Sequence, residues 1–363
     1  MLLSLYAPDA LQDNRGVRVA LFDYHLPADR IAQEARPRGS SRLLVLDRRT
    51  GAIEHARFAD FPGYLRPGDV LVRNDVRVRH ARLWGRDRED RLVEIFLLDP
   101  LDAGRRRWRA LAKPGRRAKP DRVLRFPEGV SARVAAARED GKREVAFDRE
   151  IDGDYLERCG SVPLPPYIRR TPGGPDRPED RAAYQTVFAR EPLAVAAPTA
   201  GLHFTQVLLA AVAARGVAIA DLTLSIGAGT FRPVTADDTR DHAMDAEAVS
   251  IPAETLRAAG AARRAGGRVV AAGTTVARSL EAAAGLAAVP DAEPWRFETD
   301  LFISPGFEFR AIDALLTNFH LPCSTLLMLV CAFAGRERVL AAYDEAVREG
   351  YFFYSFGDAM LIA

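Results

Sequence analysis

The sequence QVLLAAVAARGVAIADLTL, from Gln206 to Leu224, contains the order of elements that decides the fold. Its first part has the apolar spacing of an amphipathic helix and ends at Gly216, a residue that favours the turn closing a helix. The second part is an apolar run typical of a buried strand. Residues Glu254 to Gly266, with the following RVVAAG, repeat the unit. This repeat of helix, glycine and strand predicts an α/β fold.

The region from Arg66 to Ile151 has a different pattern. Short apolar runs alternate with turn signals such as Pro114-Gly115 and Asp140-Gly141, which is typical of antiparallel hairpins. We therefore expect a small antiparallel β-barrel at residues 65–151. Since Leu43 to Glu54 again has an α/β pattern, the barrel is predicted to be inserted in a discontinuous α/β catalytic domain formed by residues 1–64 and 152–363.

Composition narrows the class of protein. The chain has 363 residues, 48% of them hydrophobic, and a formal net charge of +2, which suits a globular protein of two domains. The first residues lack a basic leader pattern, and no apolar run reaches the roughly 20 residues of a membrane span, so we expect a cytoplasmic protein with no membrane partner. Cys159, Cys323 and Cys331 lack metal-ligand spacing, so reduced thiols and metal-free chemistry are expected.

The first candidate site segment is LLTNFHLPCSTLLMLVCAFAG, from Leu315 to Gly335. Ser324 or the next residue can begin the apolar helix as its N-cap. Capping does not require the Thr317, Asn318 and His320 that precede it. This surplus of polar side chains before a buried helix indicates a functional site.

Two loops ahead of predicted helices add further candidates. The segment EPLAVAAPTAGLHFT places Thr199 and His203 before a helix beginning near Thr205, where free amides favour a carboxylate or other polar ligand group. An incidental surface histidine is an equally good interpretation of His203. In AAGTTVARSLE, a strand, a turn containing Thr275 and a helix containing Arg278 resemble the strand-end loops that bind ligands, although an ordinary capped helix gives the same pattern.

The segments LSIGAGTFRPV and TRDHAMDAEAV carry weaker signals. In the first, Gly227, Gly229 and Thr230 follow a strand and permit close approach of a ligand to the backbone, but the third glycine of a dinucleotide-binding fingerprint is absent. In the second, His242 lies among carboxylates such as Asp245, which are expected to raise its basicity. A solvated acidic loop explains the second segment equally well.

One stretch is strongly basic. RRRWRALAKPGRRAKPDRVLR, from Arg105 to Arg125, has the charge of a surface that binds nucleic-acid phosphates. A solvated hairpin loop is the alternative interpretation.

Taken in order, these blocks resemble the S-adenosylmethionine:tRNA ribosyltransferase-isomerase family of queuosine biosynthesis. The resemblance runs from Phe22 to Ile362. It rests on FDYHLPADRIAQEARP, SRLLVLDR, LRPGDVLVRNDVRVRHARL, VEIFLL, KPGRR, LPPYIRR, YQTVFAREPLAVAAPTAGLHFT, IGAGTFRPV, GTT, LLTNFHLP, STLLMLV, AFAG and YSFGDAMLI.

The resemblance implies an enzyme that uses S-adenosylmethionine as a co-substrate and needs no other cofactor and no metal. The ribosyl group would be transferred to the aminomethyl group of 7-aminomethyl-7-deazaguanine at the tRNA wobble position. It would be isomerised to give epoxyqueuosine-tRNA, adenine and methionine. The partners implied are this tRNA and S-adenosylmethionine, and we expect a monomer.

The resemblance also assigns residues. His203 or His320 would be the base or acid, and Asn318 and Thr199 would orient reacting groups beside them. Binding of S-adenosylmethionine would fall to Thr317, Thr275, Gly227, Gly229, Thr230 and Arg278. Phosphate contacts with tRNA would come from Lys113, Arg116, Arg117, Arg169 and Arg170.

The chain departs from the family pattern at a few positions. Ser225 and Asp245 stand where histidines are expected, and Val76 stands where a threonine is expected. Two alternatives to the ribosyltransferase-isomerase activity therefore stay open. In these alternatives the chain is either a paralogue that acts on a different acceptor or a catalytically silent RNA-binding protein that retains the same fold.

Overall fold

The computed structural model describes residues 16–138, 140–227, 229, 234–286 and 293–363. The chain forms two compact units. The first comprises the described residues up to Arg77 together with Gln185–Glu191 and Ala197–Ala363. The second comprises Val78–Tyr184 and Pro192–Ala196.

Within its described residues, the first unit contains a nine-stranded mixed sheet with the order β13-β11-β10-β3-β12-β14-β15-β1-β2. The strands are β1 Arg42–Leu46, β2 Ile53–Arg57, β3 Val70–Asn74, β10 Ala218–Leu224, β11 Glu247–Ile251, β12 Val269–Ala272, β13 Trp295–Thr299, β14 Ala314–Asn318 and β15 Ala359–Ile362. All residues of β3, β12, β14 and β15 are buried, as expected for strands covered on both faces.

The directions of the central strands determine which strand ends lie at the same edge of the sheet. Strands β10, β3, β12 and β14 run parallel, so their carboxyl ends share one edge. Strand β15 is antiparallel to β14 and β1 is parallel to β15, which brings the amino end of β1 to the same edge. In open α/β sheets, ligands bind at such an edge.

The helices of the first unit begin and end at the signals in the sequence. They are α3 Gln206–Ala214, α4 Ala253–Arg264, α5 Thr274–Ala284, α6 Thr325–Ala334 and α7 Arg336–Arg348. Thr205 caps α3 by accepting from the Leu208 amide at 3.1 Å, and Ser324 caps α6 in the same way. Gly216 follows α3 with φ at +75°, as the predicted stop requires.

A hydrophobic core joins α3 to one face of the sheet. Leu71, Val270 and Leu316 come from neighbouring parallel strands and pack in one cluster with Phe58 and Phe204. Phe58 begins a 3₁₀ turn, Phe58–Tyr64, and its ring lies edge-on to that of Phe204 with centroids 5.1 Å apart. This packing fixes the residues immediately before α3.

In the described part of the second unit, six antiparallel strands close a barrel in the order β4-β5-β6-β9-β8-β7. They are β4 Arg82–Arg86, β5 Leu92–Pro100, β6 Arg107–Lys113, β7 Val123–Arg125, β8 Ser131–Ala137 and β9 Arg143–Phe147, and the unit also contains helices α1 Gly153–Cys159 and α2 Pro178–Ala183. A Cβ at Gly85 would lie 2.7 Å from the Phe126 ring. Strand β4 therefore needs a glycine at this position, where the Phe126 ring packs against its backbone.

The predicted α/β fold with an inserted antiparallel barrel is confirmed, but the units divide at other residues than 65 and 151. Strand β3 pairs with β10 and β12 in the large sheet, so the barrel unit begins at Val78. It extends to Tyr184, so it includes α1 and α2. The apolar run of β3 specified a strand without specifying the sheet that it joins.

Among the described residues, no helix has the length and apolar character needed to span a membrane. Cys159, Cys323 and Cys331 are all free thiols.

Candidate active site

Two of the predicted site residues meet at the carboxyl edge of the sheet. His203 ends the 3₁₀ turn Thr199–His203, and Asn318 ends β14. The Asn318 amide nitrogen lies 3.2 Å from His203 Nε2, and Ser41, next to the start of β1, places its hydroxyl 2.8 Å from His203 Nδ1. His203 and Asn318 are both buried. Three separate segments therefore converge on one imidazole.

The contacts around Asn318 assign the tautomer of His203. The Asn318 amide nitrogen also donates to the backbone carbonyl of Tyr354 at 3.0 Å, which fixes the orientation of the amide. Its other hydrogen then points to His203 Nε2, so Nε2 is an acceptor and Nδ1–H donates to Ser41. Asn318 Oδ1 is buried and has no hydrogen-bond partner within the described residues. It is an acceptor available to a ligand.

His320 forms the second cluster. Its Nε2 lies 2.8 Å from Thr317 Oγ1, while that hydroxyl is 3.3 Å from the Asn318 carbonyl. Since the hydroxyl donates to the carbonyl, Nε2 carries the proton and Nδ1 is left with its lone pair. The Tyr343 hydroxyl accepts from the His320 amide at 3.1 Å, and Tyr24 donates to the His320 carbonyl at 2.5 Å.

Both histidines are held neutral. Burial lowers the pKa of His203 to about 4, and the charges of Arg36 and Arg38 act in the same direction. Burial lowers the pKa of His320 to about 3. At neutral pH each imidazole is therefore uncharged. His320 Nδ1 keeps its lone pair and has no hydrogen-bond partner among the residues that the structure describes.

Arg36 and Arg38 reach the site by well-defined contacts. Arg38 donates to the Leu202 carbonyl at 2.8 Å. Arg36 donates at 2.5 Å to Asp358, a fully buried carboxylate that also accepts from the Arg42 amide at 2.7 Å. Through these hydrogen bonds, Asp358 connects the C-terminal segment with the segment around the start of β1. Neither arginine was predicted, because their only signal was the place of Arg36 in the block from Phe22 to Pro37 and of Arg38 directly after it.

Thr275 and the turn containing Thr199 lie close to each other. A Cβ added at Gly273 would be 3.6 Å from Thr275 Oγ1 and 3.7 Å from Ala200 Cβ, which places both segments around Gly273. Within the described residues, Thr275 Oγ1 is buried without a hydrogen-bond partner. Like Asn318 Oδ1, this hydroxyl is suited to a hydroxyl-rich ligand.

Arg278 has an internal role that the sequence did not indicate. Its Nη1 lies 2.7 Å from Glu247 Oε2, and its Nε donates to the Leu301 carbonyl at 3.1 Å. Glu247 uses its other oxygen to accept from the Gly227 amide at 3.0 Å. Both charged side chains are buried, so the pair positions the backbone at Gly227. Arg278 Nη2 is buried without a partner in the described part of the chain.

The residues near Gly227 make contacts that their sequence patterns did not indicate. A Cβ at Gly229 would lie 2.6 Å from Asp245 Oδ2, so the Asp245 side chain packs close to the backbone at Gly229. Burial lowers the pKa of His242. Asp245 raises it, as expected of a neighbouring carboxylate, but by less than burial lowers it. Thr230 lies outside the described residues.

The residues predicted to contact tRNA lie in the barrel unit. Lys113, Arg116 and Arg169 are exposed. Arg117 donates to the Leu92 carbonyl at 2.9 Å. Arg170 makes a two-point contact with Asp180, at 2.6 and 2.8 Å, so its guanidinium is engaged within the protein.

Known proteins resemble this chain over nearly all of its length. A family model described as queuosine biosynthesis protein matches residues 19–362. A relative from Rhodospirillum rubrum is 51% identical over 353 residues, which cover 96% of this chain and 98% of the relative. One from Heliobacterium modesticaldum is 50% identical over 352 residues, covering 95% and 100%. Both are named S-adenosylmethionine:tRNA ribosyltransferase-isomerase.

A solved structure supports the same relationship. The crystal structure of S-adenosylmethionine tRNA ribosyltransferase from Thermotoga maritima is 39% identical, covers 94% of this chain and 100% of its own, and superposes with a TM-score of 0.54. The family model and the relatives agree across both units of the chain. This chain belongs to the queuosine biosynthesis protein family.

Proposed function

We propose that this chain is an S-adenosylmethionine:tRNA ribosyltransferase-isomerase. It transfers and isomerises the ribosyl group of S-adenosylmethionine onto 7-aminomethyl-7-deazaguanine at the tRNA wobble position, giving epoxyqueuosine-tRNA, adenine and methionine. The observation that carries the proposal is the pair of buried neutral histidines, His203 and His320, whose hydrogen bonds lead to adjacent residues of β14.

The reaction requires proton transfer next to a positively charged sulfur. The sulfonium acidifies the 5′ carbon of the ribosyl group, so a neutral base can remove a proton there and initiate the loss of adenine. His320 suits this role because its Nε2–H is held by Thr317 while Nδ1 keeps a lone pair. In His203 both ring nitrogens are engaged, by Ser41 and by Asn318. We therefore assign the base to His320 and a positioning role to His203.

Two buried oxygens that have no hydrogen-bond partner among the described residues are proposed to hold the ribosyl group. Leaving a buried polar atom without a hydrogen bond costs about 1–3 kcal/mol, and a ligand hydroxyl bound there removes that cost. Asn318 Oδ1 and Thr275 Oγ1 are such atoms. We assign them to the ribosyl hydroxyls, with Thr199 and Thr317 beside them and the backbone at Gly227 and Gly229 near the nucleoside.

The co-substrate, the cellular location and the oligomeric state are likewise proposed. S-adenosylmethionine is consumed as a co-substrate, and the proposal includes no further cofactor and no metal. The reaction takes place in the cytoplasm, on tRNA, by a monomer without a membrane partner.

The exposed basic residues of the barrel unit are proposed to contact tRNA phosphates. Arg116→Ala is expected to weaken tRNA binding and to reduce the slope of log Kd against log salt by roughly 0.7, the effect of about one released counterion on a single strand. Arg116 is exposed and has no partner within the described residues, so its loss breaks no internal contact. Adding Arg117→Ala should reduce the slope by a smaller amount, because that guanidinium also donates to the Leu92 carbonyl. Fluorescence anisotropy across a salt series measures this.

A matched control separates phosphate contact from net charge. Arg158→Ala removes the same charge from the same unit, but that guanidinium contacts Glu128 at 2.9 and 3.0 Å. Its salt slope should equal that of the unmodified protein. Equal slopes for Arg116→Ala and Arg158→Ala would contradict a phosphate contact at Arg116.

Adenine release tests the function itself. The purified protein is incubated with S-adenosylmethionine without added metal, with tRNA carrying either 7-aminomethyl-7-deazaguanine or unmodified guanine at the wobble position. Release with the modified tRNA only is the expected result. Release with neither, together with measured tRNA binding, would identify a silent RNA-binding protein, and release that needs another acceptor would identify a paralogue.

A further inference from the structure

A cavity of about 550 Å³ adjoins the His320 segment in the first unit. This volume lies within the range of about 300–1,000 Å³ typical of small-molecule sites, and the cavity is broadly open to solvent. Its lining combines a carboxylate, aromatic rings and aliphatic groups. The residues are Asp23, Tyr24, His25, Leu26, Ile31, Leu321, Pro322 and Tyr354.

The backbone around this cavity adopts conformations that non-glycine residues rarely adopt. Tyr354 has φ at +69° and Cys323, next to the lining residue Pro322, has φ at +55°. A bulky aromatic residue with positive φ is an outlier that surrounding contacts must hold in place. Here the Tyr354 carbonyl accepts from Asn318, and Tyr354 is also one of the residues that line the cavity. One residue thus joins the cavity to the histidine cluster.

Tyr24 makes a second connection. Its hydroxyl donates to the His320 carbonyl at 2.5 Å, and its ring lies edge-on to that of Tyr343 at 5.2 Å. Burial raises the pKa of Tyr24, so the phenol remains a donor at physiological pH. The cavity wall is therefore attached to the segment that carries the proposed base, and a group bound against Tyr24 lies next to that segment.

The chemistry of the lining selects a type of ligand. Asp23 is exposed and, within the described residues, accepts a hydrogen bond only from the adjacent Tyr24 amide, at 3.0 Å, so its oxygens are available. A carboxylate accepts two parallel hydrogen bonds from the N1–H and 2-amino groups of a guanine-type base. The adenine edge offers one amino donor flanked by an acceptor nitrogen, which a carboxylate repels. Tyrosine rings favour a flat base.

We propose that this cavity binds the guanine-type acceptor base of the RNA substrate, with Asp23 accepting from its N1–H and 2-amino groups. The inference rests on the proposed function, for which it names the site of the acceptor. The base must leave its stack to enter a protein cavity, as in other enzymes that modify bases. Its aminomethyl arm then approaches the end of β14, where His320 follows.

The test measures discrimination by binding. Fluorescence anisotropy gives Kd for an anticodon stem-loop with 7-aminomethyl-7-deazaguanine and for one with 7-aminomethyl-7-deazahypoxanthine, which lacks the 2-amino group. The unmodified protein should prefer the first by about 10- to 100-fold, the effect of one hydrogen bond to a charged group. Asp23→Asn should lose most of this preference and keep its Kd for S-adenosylmethionine.

Asp29→Asn is the matched control. It makes the same change at an exposed carboxylate six positions further along the chain, which does not line the cavity. Its preference for the 2-amino group should equal that of the unmodified protein.

The outcomes separate the inference from the function on which it rests. No preference in the unmodified protein, or a full preference in Asp23→Asn, would overturn the inference even if adenine is released. Weaker S-adenosylmethionine binding by Asp23→Asn would also overturn it, since the cavity would then hold the donor. A preference that depends on Asp23, without adenine release, would support the cavity and refute the proposed reaction.

Discussion

Replacing His320 with glutamine is expected to lower the turnover number for adenine release by about 10²- to 10⁴-fold, the usual contribution of a positioned general base. The glutamine amide nitrogen can still donate to Thr317 Oγ1, which contacts His320 Nε2 at 2.8 Å. No group then replaces the basic Nδ1. Turnover should fall while the Kd of S-adenosylmethionine, measured by calorimetry, changes little.

The matched control for this variant is His55→Gln. His55 is on β2, where it contacts the Tyr351 hydroxyl at 2.8 Å and Glu345 at 3.3 Å, and it has no place in the proposed mechanism. Its turnover should equal that of the unmodified protein. Turnover retained in His320→Gln would remove this histidine from the chemistry, and an increase in KM alone would make it a binding residue.

A marked loss of stability is expected as pH falls from about 6.5 to about 4. Burial lowers the pKa of His203 to about 4 and that of His320 to about 3, whereas the unfolded chain titrates near 6.5. In this window the unfolded state binds protons that the folded state does not, so the free energy of unfolding decreases with falling pH. Each histidine contributes about 1.4 kcal/mol per pH unit.

Urea unfolding at a series of pH values between about 4.5 and 5.5, where the histidines of the unfolded chain are nearly all protonated, measures this slope. His320→Gln removes one of the two groups, so it should reduce the slope of the unfolding free energy by about 1.4 kcal/mol per pH unit. A slope unchanged in His320→Gln would contradict a neutral, buried His320.

Local sequence signals were sufficient to predict structural features that depend on residues close together in the sequence. Thr205 and Ser324 cap the helices that they were expected to cap, and Gly216 ends α3. These signals succeed because capping and glycine turns depend on a few consecutive residues. The α/β repeat and the hairpins of the barrel are also local patterns.

Contacts between residues that are far apart in the sequence were predicted less well. The run containing β3 was expected in the barrel, yet β3 lies between β10 and β12 of the large sheet. Arg278, predicted to bind the substrate, makes a buried pair with Glu247 that its sequence pattern did not indicate, and substrate binding by Arg278 stays a prediction. Arg170, expected at tRNA, makes an ion pair with Asp180. A charged side chain in a sequence does not specify its partner, because the partner comes from a segment that folding alone brings near.

The sequence by itself determined the classes of element, the family and the residues that could carry chemistry. Only the tertiary structure decided which of those residues meet and in what state. His203, Ser41, Asn318 and Tyr354 come from segments far apart in the chain, and their hydrogen bonds assign the tautomer of the imidazole. Burial then lowers its pKa. Hydrogen-bond partners and burial are properties of the packed sheet edge, so no local pattern could supply them.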